Sequence, residues 1–462
     1  MKQNTNRVLR GSARATTGVV ILGVAAAAAV GLGTVALPAV ERPPVALTVD
    51  TLQGAERDVA CAGAFAVLGA DPARPSVALP TGEATVTASG TAQAQTELAR
   101  EEPGGSLPQV LSVPAGETFA AAQTQFVGTD TLRGLTASAC AEPANEQWLV
   151  GGTTTLGVST TVSLGNHSDV PATVQLSVYD ENGMVDAQQT SGVLVPAGSD
   201  RIVSLNGYAP GREQLAVRVV SAGAAVTATL GVAHVTELTP FAVDTVSRQL
   251  APSTTLVVPG VVNRSDHQHG PGDAGELDPY PVLIRVLAPG GESGTATVRA
   301  LLPDGTSEDL GNIEYAGGAV AQLPIAHWPE EANAAMITAP DPLVGGVMGS
   351  VDTGTEHDYA WFAPAPLLAA DAAAAVVPGG ELVLVNPGTD AAQVSISGGP
   401  GPDERLTVPA GAAVVADAPA AARIASSAPI AAGVRMLSGS NLASYPVLEL
   451  TTRASSITVY TR

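Results

Sequence analysis

Lysine is all but missing from this 462-residue chain, with Lys2 its single example. That excludes a lysine base or a Schiff-base lysine anywhere beyond the first residues. Aromatic residues reach only 3% and charged residues only 14%, far from the Leu-, Glu- and Lys-rich makeup of helical bundles. Cysteine is confined to Cys61 and Cys140, neither in a Cys-x-x-Cys pair, so a cysteine-built zinc site is out of reach. No Gly-x-Ser-x-Gly elbow, His-Glu-x-x-His, Ser-x-x-Lys, P-loop or dinucleotide fingerprint occurs. No reaction is suggested by motif, and no cofactor is expected.

In their place stand 50 Gly, 35 Pro and a 45% hydrophobic share drawn mainly from Ala and Val. The formal charge of −22 repels nucleic acid and anionic lipid surfaces, which removes both as partners.

The first 40 residues read as a separate unit. Lys2, Arg7, Arg10 and Arg14 precede a run without charge up to Glu41. About 20 apolar residues suffice to span a bilayer as a helix, and basic flanks stay cytoplasmic. The reading is a cytoplasmic tail over 1–14 and a transmembrane anchor or signal segment over 15–40. The run exceeds the roughly 7–15 residues of a signal-peptide core, which favours a retained anchor over cleavage near Ala36 or Ala39. The remainder is then extracellular, tied to the membrane through this helix alone, or secreted if the segment is cut. An even cysteine pair in an exported chain reads as a disulfide, Cys61–Cys140. Its closed loop is worth about 4–5 kcal/mol in the chain-entropy model.

Val-Pro-Ala-Gly occurs three times, in "LSVPAGETFAAA" (111–122), "LVPAGSDRIVSL" (194–205) and "LTVPAGAAVVAD" (406–417). Each copy sits between runs that alternate apolar and polar residues. In "PATVQLSVYDENG", Ala172, Val174, Leu176 and Val178 share one strand face, the period-two signature. Proline presets φ in a turn and glycine supplies freedom at its end, so the motif reverses the chain within a sheet. The same order recurs with Val394 and Ile396 as inward candidates, and more loosely around Tyr315-Ala316-Gly317.

This spacing predicts an all-β chain of about four tandem immunoglobulin-like β-sandwich modules after one N-terminal transmembrane helix. The segments are 41–150 with the disulfide, 151–250, 251–365 with an acidic, histidine-bearing loop, and 366–462. The seam "APAPLLAADAAAAVVPGG" is expected to hold a short Ala-rich helix. A closed β-propeller is the rival fold, but its blades of about 40–50 residues and frequent aromatics fit less well.

The order "CAEPANEQWLVGG", "LGNHSDVPATVQLSVYDENG", Val-Pro-Ala-Gly, "LVVPG", "APAP" and "VNPGTDAAQVSIS" resembles an actinobacterial family of exported, membrane-anchored proteins known only as a domain of unknown function. The most specific element is the block Cys140, Pro143, Trp148, Gly151 and Gly152. This chain has Leu149 where members commonly carry Phe. The resemblance spans roughly residues 130–450 and implies a membrane-tethered envelope protein; it implies no activity.

Candidate sites are few. "RSDHQHGPGDAGELD" gathers Asp266, His267, His269, Glu276 and Asp278, a weak divalent-metal candidate because His-x-His on a Gly/Pro-rich loop fits no structural zinc pattern. The bland alternative is a solvated insertion. "GTEHDYAWF" places Glu356, His357 and Asp358 side by side, but neighbours on a strand point to opposite faces, and a seam loop is the better reading. Trp148 and Trp361 are either packing between segments or a shallow sugar platform. Ser163, His167 and Asp169 propose no triad by themselves. The expected function is therefore a non-catalytic cell-envelope scaffold whose partners are envelope proteins. The alternative is a cell-wall polymer or divalent-cation binding protein, and the third a hydrolase with an unrecognised site.

Overall fold

Alternation of apolar and polar residues makes strands and decides which face turns inward. Over Ala172–Asp180, Ala172, Val174, Leu176 and Val178 are buried while Thr173 and Gln175 are exposed. The computed structural model describes residues 19–27, 46–50, 56–71, 73–74, 76–114, 116–185, 192–236, 239–265, 280–353, 356–448 and 456–460. Apart from a helix over 19–27, these residues form strands, turns and loops. The chain is all-β. Among the described residues no helix is long and apolar enough to cross a membrane, and most of the expected 15–40 segment lies outside them.

The chain divides into two units. In the one comprising Met1–Gln53 and Ala454–Arg462, Ala46–Asp50 pairs antiparallel with Ser456–Tyr460. The segments written as 41–150 and 366–462 thus give up their outermost residues to a ladder of their own.

Within Gly54–Arg453, the first segment carries two three-stranded sheets around Val59, Leu111, Val113, Phe119 and the Cys61–Cys140 disulfide. In the second, Glu146–Val150, Ala216–Ala222 and Ala172–Asp180 build one sheet. Thr239–Val246, Thr227–Thr236, Val158–Asn166 and Ser199–Ser204 build the other. Glu146–Val150 therefore belongs to the second segment, because it pairs with Ala216–Val220. Leu149, Val162, Leu176, Val217 and Leu230 from both sheets meet in one core. Each such side chain contributes roughly 1.5–3 kcal/mol on burial. In the third, the 19-residue strand Ala334–Asp352 runs through both halves of the sheet system. In the fourth, two four-stranded sheets share a core.

The expected Ala-rich helix is instead the strand Asp371–Ala375, pairing with Ala421–Ala425. Its small side chains, Ala372 and Ala374 among them, are fully buried between sheets; partnering outweighs alanine's helix preference.

The segments do not follow one another in a row. Arg133–Ala139 lies against Thr239–Val246, which lies against His357–Phe362. That strand lies against Asn441–Pro446, which returns to Arg133–Ala139. One strand from each segment thus enters a closed ring, and Leu135, Ala137 and Ala139 join the core of the fourth segment. Closure is the feature that the propeller alternative anticipates; the paired sheets within segments are not.

The closing glycines of the three Val-Pro-Ala-Gly turns share one backbone region. Gly116, Gly198 and Gly411 all have φ between 62° and 84°, the left-handed region that glycine enters without strain. Two turns are fastened identically. Asn166 Nδ2 donates to Val170 O, Val195 O and Pro196 O at 2.8, 3.1 and 3.1 Å. Asn386 Nδ2 donates to Asp390 O, Val408 O and Pro409 O at the same three distances. Both asparagines are fully buried. The third segment has Ala288 in the corresponding place, and its carbonyl accepts Gly318 N–H at 3.0 Å instead.

Candidate functional site

The ring of four strands is where buried polar chemistry collects. Asp358 sits on His357–Phe362, buried between His357 and Tyr359. Its Oδ2 accepts the backbone N–H of Leu135 at 3.2 Å and of Leu442 at 3.1 Å. Its Oδ1 accepts the Tyr359 N–H at 3.0 Å. One carboxyl therefore ties the third segment to the first and fourth. Asp244, on Thr239–Val246, accepts the Trp361 N–H through Oδ2 at 2.7 Å, which ties the second to the third. Burial pushes the Asp244 carboxyl up to about 7. Burial, with the Asp244 charge adding to it, holds Asp358 well above the usual carboxylate range.

Arg285 lies beside this ring, fully buried, and its guanidinium donates to carbonyl and amide oxygens. It donates to Gly152 O at 2.6 Å, Glu213 O at 3.2 Å and Gln322 Oε1 at 2.8 Å. Its guanidinium stands 4.4 Å from the centre of the Trp361 ring. Burial lowers it to about 9. The Gly151-Gly152 pair of the tryptophan block is explained here. A Cβ on Gly151 would stand 3.0 Å from the Trp361 indole, and Gly152, at φ +72°, turns its carbonyl onto Arg285.

A second cluster is aromatic. His357 stacks on Phe241 at 3.9 Å, with Tyr280 at 4.1 Å and Tyr359 at 6.3 Å. His234 meets the other side of this group, 4.4 Å from Phe241. Burial pushes His357 down to about 4 and lowers His234 as well. Both imidazoles are thus held neutral at pH 7. Among the described residues no three His, Cys, Asp or Glu side chains converge in a metal-binding group.

The sequence candidates fall as follows. Glu356, His357 and Asp358 separate: Glu356 pairs with Arg133 at 2.9 Å, His357 enters the aromatic cluster, and Asp358 enters the ring. The seam loop expected over 354–362 is, from His357 onward, a strand paired antiparallel with Val347–Asp352; residues 354–355 lie outside the described residues. Trp148 and Trp361 are 2% and 3% exposed, so neither presents the open ring face that a sugar platform needs. Trp148 packs with Leu287, Val320 and Val344 of the third segment. Ser163 donates to Asp200 at 2.8 Å while His167 faces Asp58 at 3.1 Å. Asp266, His267, His269, Glu276 and Asp278 lie outside the described residues. Sequence reasoning missed Asp244, Arg285 and Asn166; the available signal was a charged or amide residue inside an otherwise apolar strand, as in "FAVDTV" and "VLIRVL".

Residues 98–425 match the Family of unknown function (DUF5719). The chain belongs to this family. No curated protein and no solved structure matches it. The DUF5719 region contains Asp244, Asp358 and Trp361 of the ring, Arg285 beside it, and the block Trp148, Gly151 and Gly152. Cys61 and the Leu442 donor lie beyond it.

Proposed function

We propose that this DUF5719 protein is a non-catalytic envelope protein, exported and held at the membrane by its N-terminal segment, that acts as a rigid scaffold and interaction surface. Its β-rich segments are read as immunoglobulin-like sandwiches, since in the second, third and fourth two sheets bury one shared core. The observation that carries the scaffold reading is the use of Asp358: its oxygens serve backbone groups of three segments. Export is supported by the buried Cys61–Cys140 disulfide, a bond that persists in oxidising compartments.

A second reading, cell-wall polymer binding, is favoured by one feature. A hollow of about 410 Å³ on the fourth segment is lined by Gln393, Ser395, Arg405, Thr407 and Ser427, amide, hydroxyl and guanidinium groups suited to sugar hydroxyls. The test is fractionation of the full chain from host cells, followed by co-sedimentation with isolated wall sacculi at low and high salt, with and without calcium. Recovery with the membrane and no pelleting supports the protein scaffold. Saturable, salt-resistant pelleting transfers support to the polymer reading. Recovery in the cytosol with reduced cysteines overturns both.

A further inference from the structure

The strand Ser199–Ser204 has one side only partly occupied. On its inner side it pairs antiparallel with Val158–Asn166, from Ser199 opposite Asn166 to Ser204 opposite Thr161. On the outer side Ala99–Arg100 runs parallel beside Ser199 and Asp200, with Ala99 N–H donating to Gly198 O at 2.9 Å. The chain then turns away through Glu101 and Glu102. Among the described residues nothing pairs with this edge beyond Asp200. Leu205 N–H donates inward to Thr160 O at 2.8 Å. Strand alternation therefore turns the N–H and C=O groups of Ile202 and Ser204 to the open side.

That edge runs along a cleft. One hollow of about 540 Å³ has Val77, Ala78, Glu101 and Ile202 in its walls. It continues into another of about 880 Å³ bounded by Leu68, Val193, Leu194 and Tyr208. Ser76, Arg201, Ile202 and Ser204 line both. Leu194 is 51% exposed. An occupant strand would find backbone partners along one edge and apolar side chains in both walls.

We propose that this cleft binds an extended polypeptide segment of a partner protein, added as a strand beside Ile202–Ser204 and collinear with Ala99–Arg100. Continuity argues for this occupant: the chain already satisfies the same edge by strand addition and stops after two residues. Backbone hydrogen bonds to Ile202 and Ser204 supply affinity, and the alternate side chains supply selection. The fitting segment alternates apolar residues and carries a basic residue at the end facing exposed Glu101. This deepens the scaffold reading by naming its partner class, and rests on that reading only for the cellular setting.

The test pans short random peptides on the full-length chain in detergent and counter-screens on Ile202→Pro. Proline there removes an N–H that the inner ladder does not use, as edge strands tolerate. The consensus peptide, fluorescein-labelled, is then titrated by anisotropy. The expected result is an alternating apolar consensus whose affinity falls about tenfold or more in Ile202→Pro. The same loss is expected on the unmodified protein when alternate peptide amides are N-methylated, which keeps the result independent of how the variant folds. No enrichment over the counter-screen, or equal binding by the N-methylated peptide, overturns the proposal. So does a concentration-dependent dimer that Ile202→Pro abolishes, which assigns the edge to a second copy, or displacement of the peptide by wall glycan fragments. Fractionation is unaffected by any of these outcomes, so the scaffold reading and the peptide site fail separately.

Discussion

Asp358 Oδ2 accepts the backbone N–H of Leu442 at 3.1 Å, across 84 residues of chain. The same oxygen takes the Leu135 N–H at 3.2 Å, across 223 residues. A short carboxyl thus closes a ring that strand pairing alone leaves open, since no ladder joins these three strands.

Removing the carboxyl takes the acceptor from three buried N–H groups, those of Leu135, Leu442 and Tyr359. Each such group costs about 1–3 kcal/mol, so Asp358→Ala is expected to lose several kcal/mol in urea unfolding. Asp358→Asn keeps an acceptor oxygen and is expected to lose less. Equal stability of Asp358→Ala and the parent would remove the ring closure from the explanation.

Asp244 gives a pH dependence of definite sign. Its folded value of about 7 lies above the unfolded 3.8, so between these values the folded state holds the proton more firmly. Stability from this group is therefore undiminished below about pH 4 and falls as pH rises to 7, by about 4 kcal/mol in all. His357, lowered from 6.5 to about 4 by burial, works in the opposite sense across part of the window: stability rises with pH between those values. A comparison with Asp244→Asn isolates the aspartate. The variant is expected to gain on the parent from about pH 4 to 7 and to level off above that in denaturant melts; a constant difference would contradict the assignment.

The Arg285 guanidinium lies over the Trp361 ring, 4.4 Å from its centre, and also holds three backbone carbonyls. Lysine cannot reproduce that planar fork. Arg285→Lys is expected to cost roughly 2–4 kcal/mol and to alter tryptophan fluorescence before unfolding begins. A change in stability without any spectral change would show that the cation–π contact is dispensable.

The two asparagine fasteners supply an internal control. Asn166 and Asn386 make matching bonds in different segments. Their alanine variants are expected to lose similar amounts, about 2–3 kcal/mol each, and the double variant to lose roughly the sum. Widely different losses would mean that the two turns are alike in geometry alone.

Much of the interior was legible in advance. Alternation picks out Ala172, Val174, Leu176 and Val178, and Val394 with Ile396, all buried, and the cysteine count gives the disulfide. What alternation cannot say is what covers the second face of a strand. Leu149 fills the second segment's core, whereas its neighbours Trp148 and Val150 pack on the third segment. Closure is hidden for the same reason: Leu135 and Ala137 belong to a strand of the first segment, yet they fill the core of the fourth. Asp371–Ala375 was misassigned because a run of alanines carries no period, and only its partner strand decides its conformation.

Leu156 stands fully exposed on the second segment, which makes it a reporter for the central claim of export. The decisive measurement is labelling of Leu156→Cys by a membrane-impermeant maleimide in intact host cells. Labelling that equals the level reached after lysis is the expected result. Protection in intact cells, relieved only by lysis, would place this protein inside the membrane and contradict the envelope-scaffold function.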